Sequence, residues 1–170
     1  RMRAQGVFAS LDIHNNTGLN PHYACINRLS RDWFYLATMF SHNVTYFILP
    51  KGVQSLAFNE FCPSVTVECG KSGDAAGEAH AAEYIDACLH LHAFPEHPFP
   101  PHDIDLFHTI ARVRVPESIE FSCHSTQAPL AFNPRMESWN FTELEVGAEF
   151  CSFSGDDEFP LIVEPELGTN

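Results

Sequence analysis

The stretch SVTVECGKSGDAAGEAHAAEYIDACL, residues 64–89, decides how this chain folds. An apolar run, Val65 to Val67, ends at an ionisable residue, Glu68, and two glycines, Gly70 and Gly73, follow it before a helical pattern opens. Glycine supplies the backbone angles of a sharp turn, and Asp74 has the side chain of an N-cap, so a helix is expected over Ala75 to Leu91, ending before Pro95. On a wheel of about 100° per residue centred on Ile85, the residues Ala81, Ala82, Cys88 and Leu89 fall within about 60° and form the expected buried face. His80 and Glu83 fall on the far side and are expected to face water.

Strand, glycine turn and helix together are the unit of an α/β sheet, and the upstream sequence repeats the theme. Val7 to Leu11 and Val44 to Leu49 read as strands, and residues 31–40 have helical spacing between them. The first run passes into a polar cluster, Asp12 to Thr17, and then into Gly18, Asn20 and Pro21, a loop signature. After a proline-rich hinge at residues 95–102 the pattern changes. Residues 111–115 and 119–123 alternate with period two, the mark of half-exposed antiparallel strands. The expected organisation is an α/β core over residues 1–94, the hinge, and a small β-rich domain over residues 103–170.

Composition limits the function classes. A chain of 170 residues with 45% hydrophobic content has enough material for a sizeable core. No apolar stretch approaches the roughly 20 residues of a membrane span, and no signal-peptide pattern opens the sequence, so neither membrane nor secretion is expected and the reading is cytoplasmic. The net charge of -13, from 9 basic and 22 acidic residues, argues against a nucleic-acid partner, which clustered Lys and Arg would have to hold. The six cysteines lack C-x-x-C spacing and read as reduced, mostly buried thiols, which leaves the sequons at Asn15, Asn43 and Asn140 unused.

Two groups can carry chemistry. In a strand, alternate residues share a face, so Asp12 and His14 can point together into a cleft at the sheet's edge. A carboxylate on one imidazole nitrogen fixes the tautomer and leaves the other for a metal, although the same spacing is more often a satisfied polar pair. Glu68 closes the other strand, where Val67 and Cys69 would desolvate it and raise its pKa toward the range of a general base; its bland reading is a surface glutamate. A cysteine nucleophile, Cys25 or Cys69 with His14, has no local motif behind it. The histidines around the hinge, His90, His92, His97, His102 and His108, lack the accompanying ligands of a second metal cluster.

These two segments, LDIHNNTGLNPHY and VTVECGKSGDAAGEAHAAEYIDACL, resemble the succinylglutamate desuccinylase/aspartoacylase family, zinc hydrolases related to the metallocarboxypeptidases, in order over about residues 5–115. The resemblance implies a mixed-sheet, zinc-carboxypeptidase-like core, present in part. It matches His14 to a zinc ligand and Glu68 to the general base, sets Asn15, Asn16 and Thr17 beside the metal, and leaves Lys71 as a nearby cation for the substrate. The implied activity is zinc-dependent hydrolysis of the amide bond of a small N-acyl amino acid or similar carboxylate-bearing substrate, in a possible homo-oligomer. The departures are specific: no H-x-x-E precedes Val7, no Arg or Lys lies between Gln54 and Val67, and no tyrosine follows Tyr84. The alternative expectation is a non-catalytic binding module, or an inactive piece of a longer enzyme whose zinc site is incomplete here.

Overall fold

The computed structural model describes residues 8–96, 103–155 and 158–166. Val7, most of the expected hinge with His97 and His102, and the acidic pair at 156–157 lie outside them. The chain is mixed α/β with several sheets and divides into two compact units, Arg1–Thr109 and Ile110–Asn170.

Among the described residues the first unit holds five strands, β1 (Ser10–Asn16), β2 (Tyr23–Ile26), β3 (Asn43–Tyr46), β4 (Ser64–Lys71) and β5 (Asp105–His108). Its helices are α1 (Arg31–Thr38), α2 (Gln54–Phe58) and α3 (Ala75–Leu89). The strands form one sheet in the order β1-β4-β2-β3-β5. β4 runs parallel to β1 and antiparallel to β2, while β2–β3 and β3–β5 are parallel. β4 takes an interior position, between β1 and β2, and its residues are buried on both faces: Val65, Val67 and Cys69 on one, Ser64 and Thr66 on the other. β-branched side chains suit such a position, packing well on a pleated surface.

The core lies between the sheet and the α1/α3 layer. Ala24, Ile26, Val44, Val65, Val67 and Cys69 of the strands pack with Trp33, Leu36, Ala37, Phe40 and Tyr84. Fully burying one large aliphatic side chain such as Leu36 or Ile26 contributes about 1.5–3 kcal/mol. Asp74 caps α3 as its sequence position suggests, its side chain accepting from the Ala76 amide at 3.1 Å.

Several expectations change. The first strand begins and ends later than Val7–Leu11, so the polar cluster lies on the strand itself; pairing with β4 extends it to Asn16. The short β2 and α2 carry no strong periodic signal and were not expected. The face of α3 is turned by one residue. It runs through Gly77, His80, Ala81, Tyr84 and Cys88, leaving Ile85 at 37% and Leu89 at 77% exposure. Tyr84 decides this, because its ring packs on Phe40 and its hydroxyl donates to the Leu36 carbonyl at 3.0 Å. His80 consequently faces inward, its Nε2–H donating to the Phe40 carbonyl at 2.8 Å, while Glu83 is exposed. The boundary also moves: β5 pairs with β3, so residues 105–108 belong to the first unit and not to the β-rich domain expected from residue 103.

The second unit contains β6 (Ala111–Arg114), β7 (Phe121–Ser122), β8 (Leu130–Phe132), β9 (Cys151–Phe153) and β10 (Ile162–Pro165), with a 3-10 turn over Met136–Trp139. β6 pairs antiparallel with β10, and β8 lies between β7 and β9. β7 is parallel to β8, which departs from the antiparallel arrangement expected there. Edge-to-face contacts link Phe121, Phe132 and Phe150. Among the described residues no helix is long and apolar enough to cross a membrane.

Gly77 lets α3 approach β4. A Cβ built there would lie 1.9 Å from the Cys69 carbonyl oxygen, which is backbone and cannot yield cheaply. Inside a helix Gly→Ala ordinarily stabilises by about 1 kcal/mol. Gly77→Ala is expected to have the opposite sign, a loss of about 1–3 kcal/mol in urea unfolding from overpacking. A gain would show that α3 does not sit this close.

Candidate active site

The register of β1 on β4 builds the site. Ser10 pairs with Ser64, Asp12 with Thr66 and His14 with Glu68, and on the other side of β4 the strand β2 sets Cys25 across from Thr66 and Tyr23 across from Glu68. Since alternate residues share a face, these polar side chains stand on the face of the sheet opposite the α1/α3 core. Val65, Val67 and Cys69 fill the other face.

Past His14 the pairing becomes irregular. The next matched pair is Asn16 with Lys71, so β4 uses three residues where β1 uses two. Gly70 lies within this irregularity at φ +89°, a conformation that residues with a Cβ rarely adopt. That is the physical sense of a glycine two residues after Glu68. The bulge brings Asn16 back toward the carboxylate, and its Nδ2 donates to Glu68 Oε2 at 3.5 Å.

Around this pair the groups converge. His14 Nε2 lies 3.1 Å from Asp12 Oδ1, and His14 Nδ1 lies 3.9 Å from Glu68 Oε1. Thr66 Oγ1 donates to Asp12 Oδ2 at 3.3 Å. The cleft has a volume of about 530 Å³, with Phe47, Gly52, Val53 and Gln54 facing Asp12, His14, Cys25, Thr66 and Glu68. Gln54 ties this wall to β1, its Nε2 donating to Ser10 Oγ and the Leu11 carbonyl, both at 3.3 Å.

Burial raises the pKa of Glu68 above the usual carboxylate value; the Asn16 hydrogen bond and His14 partly offset this, and the Asp12 charge adds to it. Burial, with the Glu68 charge beside it, also pushes the Cys25 thiol up to about 12. The nucleophile is the thiolate, so Cys25 is held in its unreactive form and serves as cleft wall. Cys69 belongs to the core face, and burial raises its thiol too.

The expected site residues divide between two clefts. His14, Asn16 and Glu68 come together as described. Asn15 and Lys71 line a second, smaller cleft of about 180 Å³ with Ile13, Ser72, Asp74 and Glu78, and His14 borders both. Thr17 is exposed just beyond the end of β1. Asp12 and Gln54 support the site from positions whose role depends on register, and Thr66 joins it only because β4 lies beside β1. The one signal for Thr66 in the sequence is that it shares strand parity with Glu68.

The residues fit a zinc ion only in part. His14 has the form of a ligand, with a carboxylate on Nε2 and Nδ1 left over. A catalytic zinc takes three protein ligands, and among the described residues no group of three or more His, Cys, Asp or Glu side chains is arranged to hold a metal. Of the hinge histidines that are described, His90 bonds the Asp86 carbonyl and His108 packs on Tyr46.

No protein-family model matches the sequence, and no curated protein matches it. Among solved structures, the succinylglutamate desuccinylase from Chromobacterium violaceum is similar, with a TM-score of 0.47 and 14% identity, over 71% of this chain and 40% of that one. The chain therefore spans well under half the length of that protein.

The raised pKa of Glu68 has a thermodynamic consequence with a definite sign. The folded state holds the proton more tightly than the unfolded chain, whose carboxyl titrates near about 4.3, so the stability from this group is present below that pH and is lost as pH rises through the folded pKa. Glu68→Gln is expected to raise Tm relative to the wild-type chain at pH 7, with the gain shrinking toward pH 4. A difference that does not change with pH would contradict the burial of this charge.

Proposed function

We propose that the cleft between β1 and α2 is a hydrolytic site that cleaves the amide bond of a small N-acyl amino acid or similar carboxylate-bearing substrate. The observation that carries this reading is the placement of Glu68: one oxygen held by Asn16, the other facing His14 Nδ1 at 3.9 Å, inside a cleft that raises its proton affinity. A general base works best when its pKa lies near the operating pH, and partial burial moves a carboxylate in that direction.

In the proposed reaction Glu68 takes a proton from water as the oxygen adds to the amide carbon. It then returns that proton to the departing nitrogen as the C–N bond breaks. The products are a carboxylic acid, which keeps the second proton of the water, and an amine; that proton then passes between them to leave a carboxylate and an ammonium, and Glu68 ends ionised as it began. Lys71 lines the smaller cleft, which lies with Ile13, Cys69 and Ala81 on the α3 side of the sheet, and is proposed as the cation for the substrate carboxylate on the sequence resemblance. The dependence on zinc implied by the sequence resemblance belongs to this proposal through His14 alone; no step is assigned to a metal, because the described residues do not complete its ligand set.

The test is turnover of N-acetyl and N-succinyl amino acids against the same compounds with the carboxylate capped as an amide. Glu68→Gln is expected to lower kcat by about 10²–10⁴-fold with little change in KM, and unchanged turnover would overturn the assignment. Lys71→Met is expected to raise KM about tenfold with kcat nearly kept, the effect of losing one charge-assisted contact. Zinc per chain by elemental analysis, beside His14→Ala, checks the metal: zinc that the substitution removes supports His14 as a ligand, and zinc that survives it excludes that role.

A further inference from the structure

The hydrogen bonds behind His14 have a forced direction. A threonine hydroxyl has one hydrogen to donate, a carboxylate only accepts, and an imidazole that bonds a carboxylate does so through an N–H. The chain therefore reads Thr66 Oγ1–H to Asp12 Oδ2, then His14 Nε2–H to Asp12 Oδ1, at 3.3 and 3.1 Å. In the neutral ring this leaves Nδ1 without a proton, and Nδ1 is the nitrogen that faces Glu68.

We infer that Thr66 is a positioning residue: through Asp12 it sets which nitrogen of His14 carries the proton and keeps an unprotonated Nδ1 turned toward Glu68. Three observations converge on it. Thr66 lies directly across from Asp12 in the β1–β4 register, and it is 8% exposed. The side chain of His14 is 53% exposed, so packing alone does not fix its ring, whereas the Asp12 side chain is 19% exposed and gripped at both oxygens. Cys25 stands on the other side of Thr66 with its thiol held neutral by burial, so the threonine hydroxyl faces a carboxylate on one strand and an uncharged neighbour on the other.

Threonine suits this task because its β-branch stiffens χ1 in a strand and aims the hydroxyl along a single direction. Valine has the same shape and no donor, and serine has the donor without the branch. Losing the hydroxyl frees one oxygen of Asp12 to turn, and the hold on Nε2 goes with it.

The inference rests on the His14–Glu68 cleft as the working site, but it can be read without any substrate. Long-range ¹H–¹⁵N spectra of the histidine rings at pH 8.5, well above the ordinary imidazole pKa of about 6.5, report the tautomer directly. Wild-type His14 is expected to be the Nε2–H form. Thr66→Val and Thr66→Ala are expected to shift it toward a mixture, and Thr66→Ser to restore it, with backbone amide spectra showing that each variant is folded. A wild-type ring protonated on Nδ1, or a tautomer indifferent to loss of the hydroxyl, overturns the inference even if one variant fails to fold. With the acyl amino acids above as probes, Thr66→Val is further expected to lower kcat about tenfold at unchanged KM, recovered by Thr66→Ser. A locked tautomer in a chain that hydrolyses none of the probes would retain the positioning role and remove the deacylase reading; hydrolysis with a tautomer indifferent to Thr66 would do the reverse.

Discussion

The pairing of β1 with β4 in one particular register is the constraint on which the rest of the first unit depends. Side chains alternate across a strand, so a slip of one residue would move His14 and Asp12 to the α-helical face and bring Leu11 and Ile13 in among Thr66 and Glu68. The register is held from both faces. On one, Val65 and Val67 are fully buried in the core; on the other, Thr66 bonds Asp12 and Gln54 ties the start of α2 to Ser10 and Leu11. Hydrophobic burial and polar satisfaction thus select the same alignment, the consistency that gives a sequence a single native state.

The two faces of β4 divide the labour. The face toward α1 and α3 is apolar and closely packed, with Gly77 allowing the helix to lie against the Cys69 carbonyl and Tyr84 reaching across to Leu36. A rigid backing of this kind holds the opposite face in place. There the side chains are polar, partly buried and connected by hydrogen bonds, so that each carboxylate has a named partner: Thr66 and His14 for Asp12, Asn16 for Glu68. A buried polar group without a partner costs about 1–3 kcal/mol; the hydrogen bonds spare both carboxylates that cost, while Asn16 Oδ1 is buried without a hydrogen-bond partner and burial raises the pKa of Glu68.

Beyond the effect of burial, the Asp12 charge raises the proton affinity of Glu68, and His14 partly offsets this. The imidazole between them separates their roles. Asp12 engages one nitrogen and Glu68 faces the other, which is the arrangement the proposed reaction uses. The bulge at Gly70 completes this arrangement by letting Asn16 hold the far oxygen of Glu68.

Much of this was legible in the residues. The strand, glycine turn and capped helix of residues 64–89 follow from local pattern, since turn angles, capping and periodicity act over a few positions. The shared parity of Asp12 with His14, and the promise of Glu68, could be read in the same way. On α3 the aliphatic residues alone favour a face centred on Ile85, while the tyrosine hydroxyl and a glycine's lack of Cβ, which have meaning only against a neighbour, favour Tyr84 and Gly77. The short β2 and the late β5 could not be read at all, being strands because of what they pair with. The sequence by itself determined the chemistry available and the local elements that carry it. Only the tertiary structure decided that β4 lies between β1 and β2, and so that Thr66 meets Asp12 across 54 residues of chain, because hydrogen bonds between strands depend on backbone groups common to every residue and leave no local mark in the sequence.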